Sequence, residues 1–221
     1  RFDRDGHEDV FFRSMSARGT AGGLALSTND AVRVLDAAGY DPILVETVGA
    51  GQNEIDVVRT ADTVVVVMIP SAGDDVQMLK AGILEIGELF VVNKMDLEGA
   101  DRAVVDLKEM IRREGRPDSA SEGPDWEVPV LKTNARTGEN VDELHNRLLG
   151  HRQFLEESGE GDRKRRRRRR EELRRLLEED VQALTQRLVE EAGGYERLVD
   201  RILRNGSDPY TVAESLIDQL D

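Results

Sequence analysis

The chain has 221 residues, 38% apolar and 34% charged, with a net charge of −14 and no cysteine. That length accommodates one α/β domain with a smaller appendage, and the lack of cysteine excludes a disulfide scaffold and any thiolate metal site. No run approaches the ~20 apolar residues of a membrane span, and the expectation from these residues is that there is no signal peptide. Five lysines stand against 26 arginines. A strongly acidic, lysine-poor surface suits a salty cytosol, so the expectation is a cytoplasmic protein of halophilic origin. The first residue is Arg rather than Met, which suggests a chain that begins part-way through a longer protein.

The first helical pattern is "STNDAVRVLDAAGY" (27–40), with Ser27 as N-cap and a stop at Gly39. Strand-like runs follow at 42–48 (PILVETV), 63–69 (TVVVVMI), 89–94 (LFVVNK) and 128–133 (VPVLKT). They are rich in β-branched residues and do not alternate, as expected of strands covered on both faces. Between them, "DDVQMLKAGILEIG" and "ADRAVVDLKEMIRREG" have helical patterns. The alternation predicts an α/β fold with a mostly parallel, doubly wound sheet. Residues 114–127, rich in Pro, Gly, Ser and acids, are expected to be an exposed loop, and 156–162 (EESGEGD) a second break. Beyond it the pattern is helical. Leu173, Leu176, Leu177, Val181, Leu184 and Leu188 form one apolar stripe, and a last helix is expected with Pro209 near N1. The expected division is therefore 1–155, a partial nucleotide-binding domain, and 156–221, a helical arm.

Asn93-Lys94-Met95-Asp96 lies where a parallel strand ends, the edge at which open α/β sheets bind ligands. A carboxylate there can accept from guanine N1–H and its exocyclic amine. Adenine offers no such pair and would leave a buried acceptor unsatisfied. The Asn amide can meet the acceptor edge of the base, and the Lys stem can cover its face. The bland alternative is a polar turn. A second motif, "ETVGAGQNE" (46–54), sets Glu46 at a strand end three residues before Gly49. An acid there can hold Mg²⁺ through water, and a glycine N–H can approach a γ-phosphate; the alternative is a strand and a glycine turn. A third, "KTNARTGENVDEL", enters Thr133-Asn134-Ala135 from a strand and reaches a helix after Gly138. Its backbone N–H groups could support a base from the other side.

The order of these three motifs is that of the P-loop GTPases. The G-x-x-x-x-G-K-[ST] phosphate loop is absent, because none of the five lysines follows a glycine. The expectation is that an N-terminal strand, loop and helix are missing. "ARGTAGG" (17–23) lacks the lysine and is no substitute.

"ETVGAGQNEIDV", "PSAGDDVQMLKAGILEI" and "NKMD" together resemble the GTPases that accompany methylmalonyl-CoA mutase, the MeaB/ArgK type. The resemblance implies a P-loop fold, GTP and Mg²⁺ as cofactors, and guardianship of the mutase's adenosylcobalamin. It implies that Glu46 lies on the Mg²⁺ side and that Gly49 senses the γ-phosphate. Asn93, Lys94 and Asp96 would read guanine, and Asn134, Ala135 and Arg136 would line the base, although the family pattern has Ser where Asn134 stands. Gln52, Asp74, Gln77 and Lys80 would form switch segments, with Lys80 catalytic when the mutase engages; the alternative for this loop is an acidic helix start. The apolar stripe of the arm implies a homodimer. The rivals are another P-loop GTPase, of the signal-recognition or metal-insertion type, and a non-enzymatic helical module binding nucleic acid through 163–170 (RKRRRRRR). That run lies between acidic segments, lacks aromatics for stacking and leads into Glu residues spaced to pair with Arg. A solvated, salt-bridged helix is the better expectation.

Overall fold

The computed structural model describes residues 10–15, 26–47, 60–70, 81–114 and 126–218. The chain divides into two compact units, Arg1–Lys164 and Arg165–Asp221. Described elements of the first are α1 (Leu26–Ala37), β1 (Val65–Met68), α2 (Ala81–Ile86), β2 (Leu89–Val92), α3 (Ala100–Glu114), β3 (Val130–Lys132) and α4 (Val141–Glu157). The unit boundary falls within α5 (Glu160–Glu191), which α6 (Gly194–Asn205) and α7 (Pro209–Ile217) follow.

The strands form a parallel sheet in the order β1-β2-β3. Val65 pairs with Leu89 and Met68 with Val92; Phe90 pairs with Val130 and Val92 with Lys132. All four residues of β2 are buried, which explains its unbroken apolar run: a central strand covered on both faces has no solvent side to mark with polar residues. On one face Phe90 and Val92 pack with Leu84 of α2 and with Ala100, Ala103 and Leu107 of α3. The α3 residues recur at i, i+3 and i+7, one face of a helix. Gly87 lets the chain enter β2, because a Cβ there would lie 2.4 Å from Cζ of Phe90.

α1 begins at Leu26, so Ser27 lies inside the first turn rather than capping it. The helix stops as expected. Gly39 has φ +85, and Tyr40 N donates to Leu35 O at 3.0 Å, the six-to-one bond of a glycine C-cap. The run at 42–48 departs from expectation: residues 43–47 belong to no strand, and Leu44 is 86% exposed. A strand needs a neighbour to receive its ladder. Among the described residues no strand pairs with this segment, and β1 is at the edge of the described sheet with Val67 60% exposed. The expected loop at 114–127 also differs at both ends. Glu114 is the last residue of α3, and Trp126 is half-buried against His151 and Phe154. The second break contracts to Ser158-Gly159 between α4 and α5.

In the second unit Val189, Leu198 and Val212 form a small core with Ala192, Ile202 and Leu216. α7 starts at Pro209, and its N-cap Asp208 accepts from Tyr210 N at 2.9 Å and Thr211 N at 3.1 Å. The Thr211 hydroxyl, first among the causes, and these backbone donors hold the Asp208 carboxyl below its ordinary value. On α5, Arg174 and Arg175 pair with Glu178 and Glu179 at i+4, as the charge pattern predicts. No helix among the described residues is long and apolar enough to cross a membrane.

Candidate functional site

β2 and β3 are parallel neighbours, so their C-terminal ends lie side by side. The chain leaves β2 through Asn93-Lys94-Met95-Asp96 and β3 through Thr133-Asn134-Ala135-Arg136. Backbone bonds continue the pairing past the strands: Thr133 N donates to Val92 O, and Met95 N to Thr133 O, both at 3.0 Å. Asn93 N donates to Met68 O at 2.8 Å, so β1 supports the same loop. Lys94 then takes φ +56, a left-handed conformation uncommon outside glycine. Leu97 N donates to Lys94 O at 2.9 Å and closes the turn towards α3. Asp101, in the first turn of α3, meets Lys132 Nζ at 2.5 Å.

Side chains join the two loops. Asn93 Oδ1 accepts from Ala135 N at 3.0 Å and from Thr133 Oγ1 at 3.3 Å. Asp96 Oδ1 accepts from Asn134 Nδ2 at 2.8 Å. Arg136 N donates to Asn134 Oδ1 at 3.1 Å, so the N–H groups of Ala135 and Arg136 both serve the loop itself. Asn140, the residue before α4, donates through Nδ2 to Lys132 O at 3.0 Å and steadies the end of β3. Thr133 and Asn134 are buried, while the Lys94 and Asp96 side chains are exposed at the rim. Among the described residues Nδ2 of Asn93 and Oδ2 of Asp96 have no protein partner. A free amide donor beside a carboxylate acceptor suits a ring that carries an acceptor next to paired donors.

Asn93, Lys94, Asp96, Asn134, Ala135 and Arg136 are thus brought together at one sheet edge. Glu46 is exposed in the irregular segment 43–47. Gly49, Gln52, Asp74, Gln77 and Lys80 lie outside the described residues.

A second polar cluster escaped the sequence reading. Glu88, 3% exposed, sits just before β2 and accepts through Oε2 from Val64 N at 2.9 Å. Its Oε1 pairs with Lys164 Nζ, which also donates to Asp62 O at 3.0 Å. His151, 1% exposed, shares a 2.7 Å hydrogen bond with Thr63 Oγ1, and its Nε2 is 3.8 Å from Glu88 Oε1. Trp126 Nε1 donates to Glu88 O at 2.8 Å. Lys164 is therefore not part of a solvated helix face, and its contacts explain why the first unit extends as far as that residue. The available signals were a lone lysine interrupting an arginine run and an acid directly before a buried strand. This cluster is at the N-terminal end of the sheet, opposite the loops above.

A protein-family model described as methylmalonyl Co-A mutase-associated GTPase MeaB matches residues 2–190. A protein of Pyrococcus abyssi whose name assigns it to the GTPases is 43% identical over 218 residues, 96% of this chain and 64% of its own length. GTPase ArgK of Escherichia coli is 30% identical over 174 residues, 79% of this chain and 52% of that protein. The crystal structure of LAO/AO transport system kinase is similar with a TM-score of 0.60 at 25% identity, covering 87% of this chain and 61% of that one. The chain spans less than two thirds of these relatives' lengths.

Proposed function

The chain belongs to the methylmalonyl-CoA mutase-associated GTPase family, and on that premise we propose that it is the guanine-reading part of a cytoplasmic, GTP-hydrolysing chaperone for an adenosylcobalamin-dependent mutase. The observation that carries this is the joining of Asn93 and Asp96 to residues 133–136 at the C-terminal edge of a parallel sheet. Asp96 accepts from N1–H and the exocyclic amine of guanine, Asn93 Nδ2 donates to its acceptor edge, and the Lys94 stem lies over the ring. Glu46 is the acid that would hold Mg²⁺, and Gly49 the residue beside the γ-phosphate; the ion supplies charge neutralisation during phosphoryl transfer. Gln52, Asp74 and Gln77 belong to switch segments. A homodimer through the arm would cover Leu173, Leu176, Leu177 and Val181, which are exposed in the single chain.

The test is GTP hydrolysis by the full-length protein, with and without the mutase, for wild type and Lys80→Ala. A partner that reorders the loop can bring a remote cation to the developing γ-phosphate charge. Lys80→Ala should then retain intrinsic hydrolysis and lose most of the acceleration by the mutase. Absence of GTP hydrolysis in wild type would refute the activity. Equal acceleration of both proteins would refute the role of Lys80.

A further inference from the structure

Two groups able to carry a positive charge converge on one buried oxygen at the N-terminal end of the sheet. Glu88 Oε2 is committed to the N–H of Val64. Oε1 pairs with Lys164 Nζ, and His151 Nε2 stands 3.8 Å from that same atom. The distance is too long for a hydrogen bond but short enough for an ion pair once the imidazole is charged. The other ring nitrogen, Nδ1, is 2.7 Å from Thr63 Oγ1. A carboxylate facing Nε2 favours the tautomer with its hydrogen there, so in the neutral ring Nδ1 accepts from the Thr63 hydroxyl. The imidazolium fits the same place. Its Nδ1–H donates to Thr63 Oγ1 after the hydroxyl rotates, and its Nε2–H faces the carboxylate.

Each element packed around the ring brings charges of its own. Before β1, Asp62 gives its carbonyl to Lys164 Nζ. Before β3, Trp126 contributes its ring at 4.7 Å, and Glu127 beside it is exposed. On α4, Arg147 turns to Glu143, and Arg152 to Asp41 and Glu156. On α5, Arg163 pairs with Glu160, and Asp162 is exposed. Competition for Glu88 Oε1 therefore lies between Lys164 and His151. A second cation at this buried point is opposed by the first, since like charges repel more strongly where water is excluded. The two side chains differ in their route out. His151 is 2% exposed and its ring packs on Trp126 and Phe154. Lys164 is 20% exposed and has a flexible stem.

We propose that this cluster is a proton-operated clamp on the start of α5: neutral His151 leaves Glu88 to Lys164, and protonated His151 takes the carboxylate and displaces Lys164 towards water. The start of α5, residues 160–164, belongs to the first unit. It is held to the entrance of β2 while the imidazole is neutral and is released as the pH falls and the ring gains its proton. The clamp lies at the opposite end of the sheet from the Asn93–Asp96 loop.

Backbone hydrogen exchange of the full-length protein, corrected for its intrinsic dependence on pH, tests the clamp in residues 160–168. It is followed from about pH 8 to about pH 5, the interval in which an imidazole ordinarily takes up its proton. Wild type should lose about tenfold or more in protection over this interval. His151→Gln has no such proton to gain and should keep its protection until the carboxylate range, near about pH 4. Lys164→Met has no cation to displace and should show protection that is the same at both ends of the interval. Unchanged protection in wild type means that Lys164 stays in place, and a wild-type-sized loss in His151→Gln assigns the acid response to another group; either result overturns the proposal. Should His151→Gln fail to fold, Lys164→Met decides alone, because it leaves the ring in place. A wild-type-sized loss in that variant overturns the proposal, and a flat profile supports it.

Discussion

Lys94 shows how a single residue carries two opposed requirements. Its φ of +56 places it in the left-handed region, which disfavours a residue with a Cβ by roughly 1–2 kcal/mol. Glycine would adopt this conformation without that strain, yet the position holds a long cationic side chain beside Asp96. Lys94→Gly should therefore leave thermal stability unchanged or raise it while lowering nucleotide affinity; melting curves and nucleotide titration check the two effects. A lower melting temperature with unchanged affinity would assign Lys94 to the fold alone. At this scale the sequence was legible where spacing encodes a loop: Asn93, Asp96 and Asn134 each stand a fixed distance past a strand. It was not legible where a side chain reaches across the sheet. Nothing in the order of residues ties Glu88 to Lys164, or His151 to Thr63, because those pairs exist only once the strands and helices have packed.

Among the elements, β2 is held from both ends: its exit leads into the Asn93–Asp96 loop and its entrance into the Glu88 cluster. Glu88→Ala would leave the Lys164 ammonium and Val64 N–H without the carboxylate that now receives them. Removing one partner of a buried ion pair costs about 3–5 kcal/mol. Urea denaturation should show a loss of that order, and a change below about 1 kcal/mol would mean the cluster is solvated like a surface pair. The helices α3 and α7 were legible because an apolar face or a Pro-led cap marks them locally. The segment 43–47 was misread for a physical reason. Its β-branched residues fit a strand, but strand formation is decided by a neighbouring backbone, which composition does not encode. Trp126 was misread in the same way: a polar, acidic surrounding sequence suggests exposure, whereas its ring packs on His151 and Phe154.

For the whole molecule, the arm and the sheet unit carry different kinds of information. The sheet unit joins the two loops at its strand ends by hydrogen bonds. The arm instead offers an exposed stripe, with Leu177 at 55% and Val181 at 62% exposure, and a charge pattern largely answered along its own helix. The family model covers residues 2–190, which include both loops. The central claim is that Asp96 reads guanine, and competition between GTP and XTP for the full-length protein tests it most directly. Asp96→Asn presents one donor and one acceptor where guanine needs two acceptors, and the extra carbonyl of xanthine can receive the new donor. Wild type should prefer GTP, and Asp96→Asn should lose GTP and bind XTP in its place. A variant that keeps the wild-type preference for GTP would contradict the assignment of this edge as the guanine site.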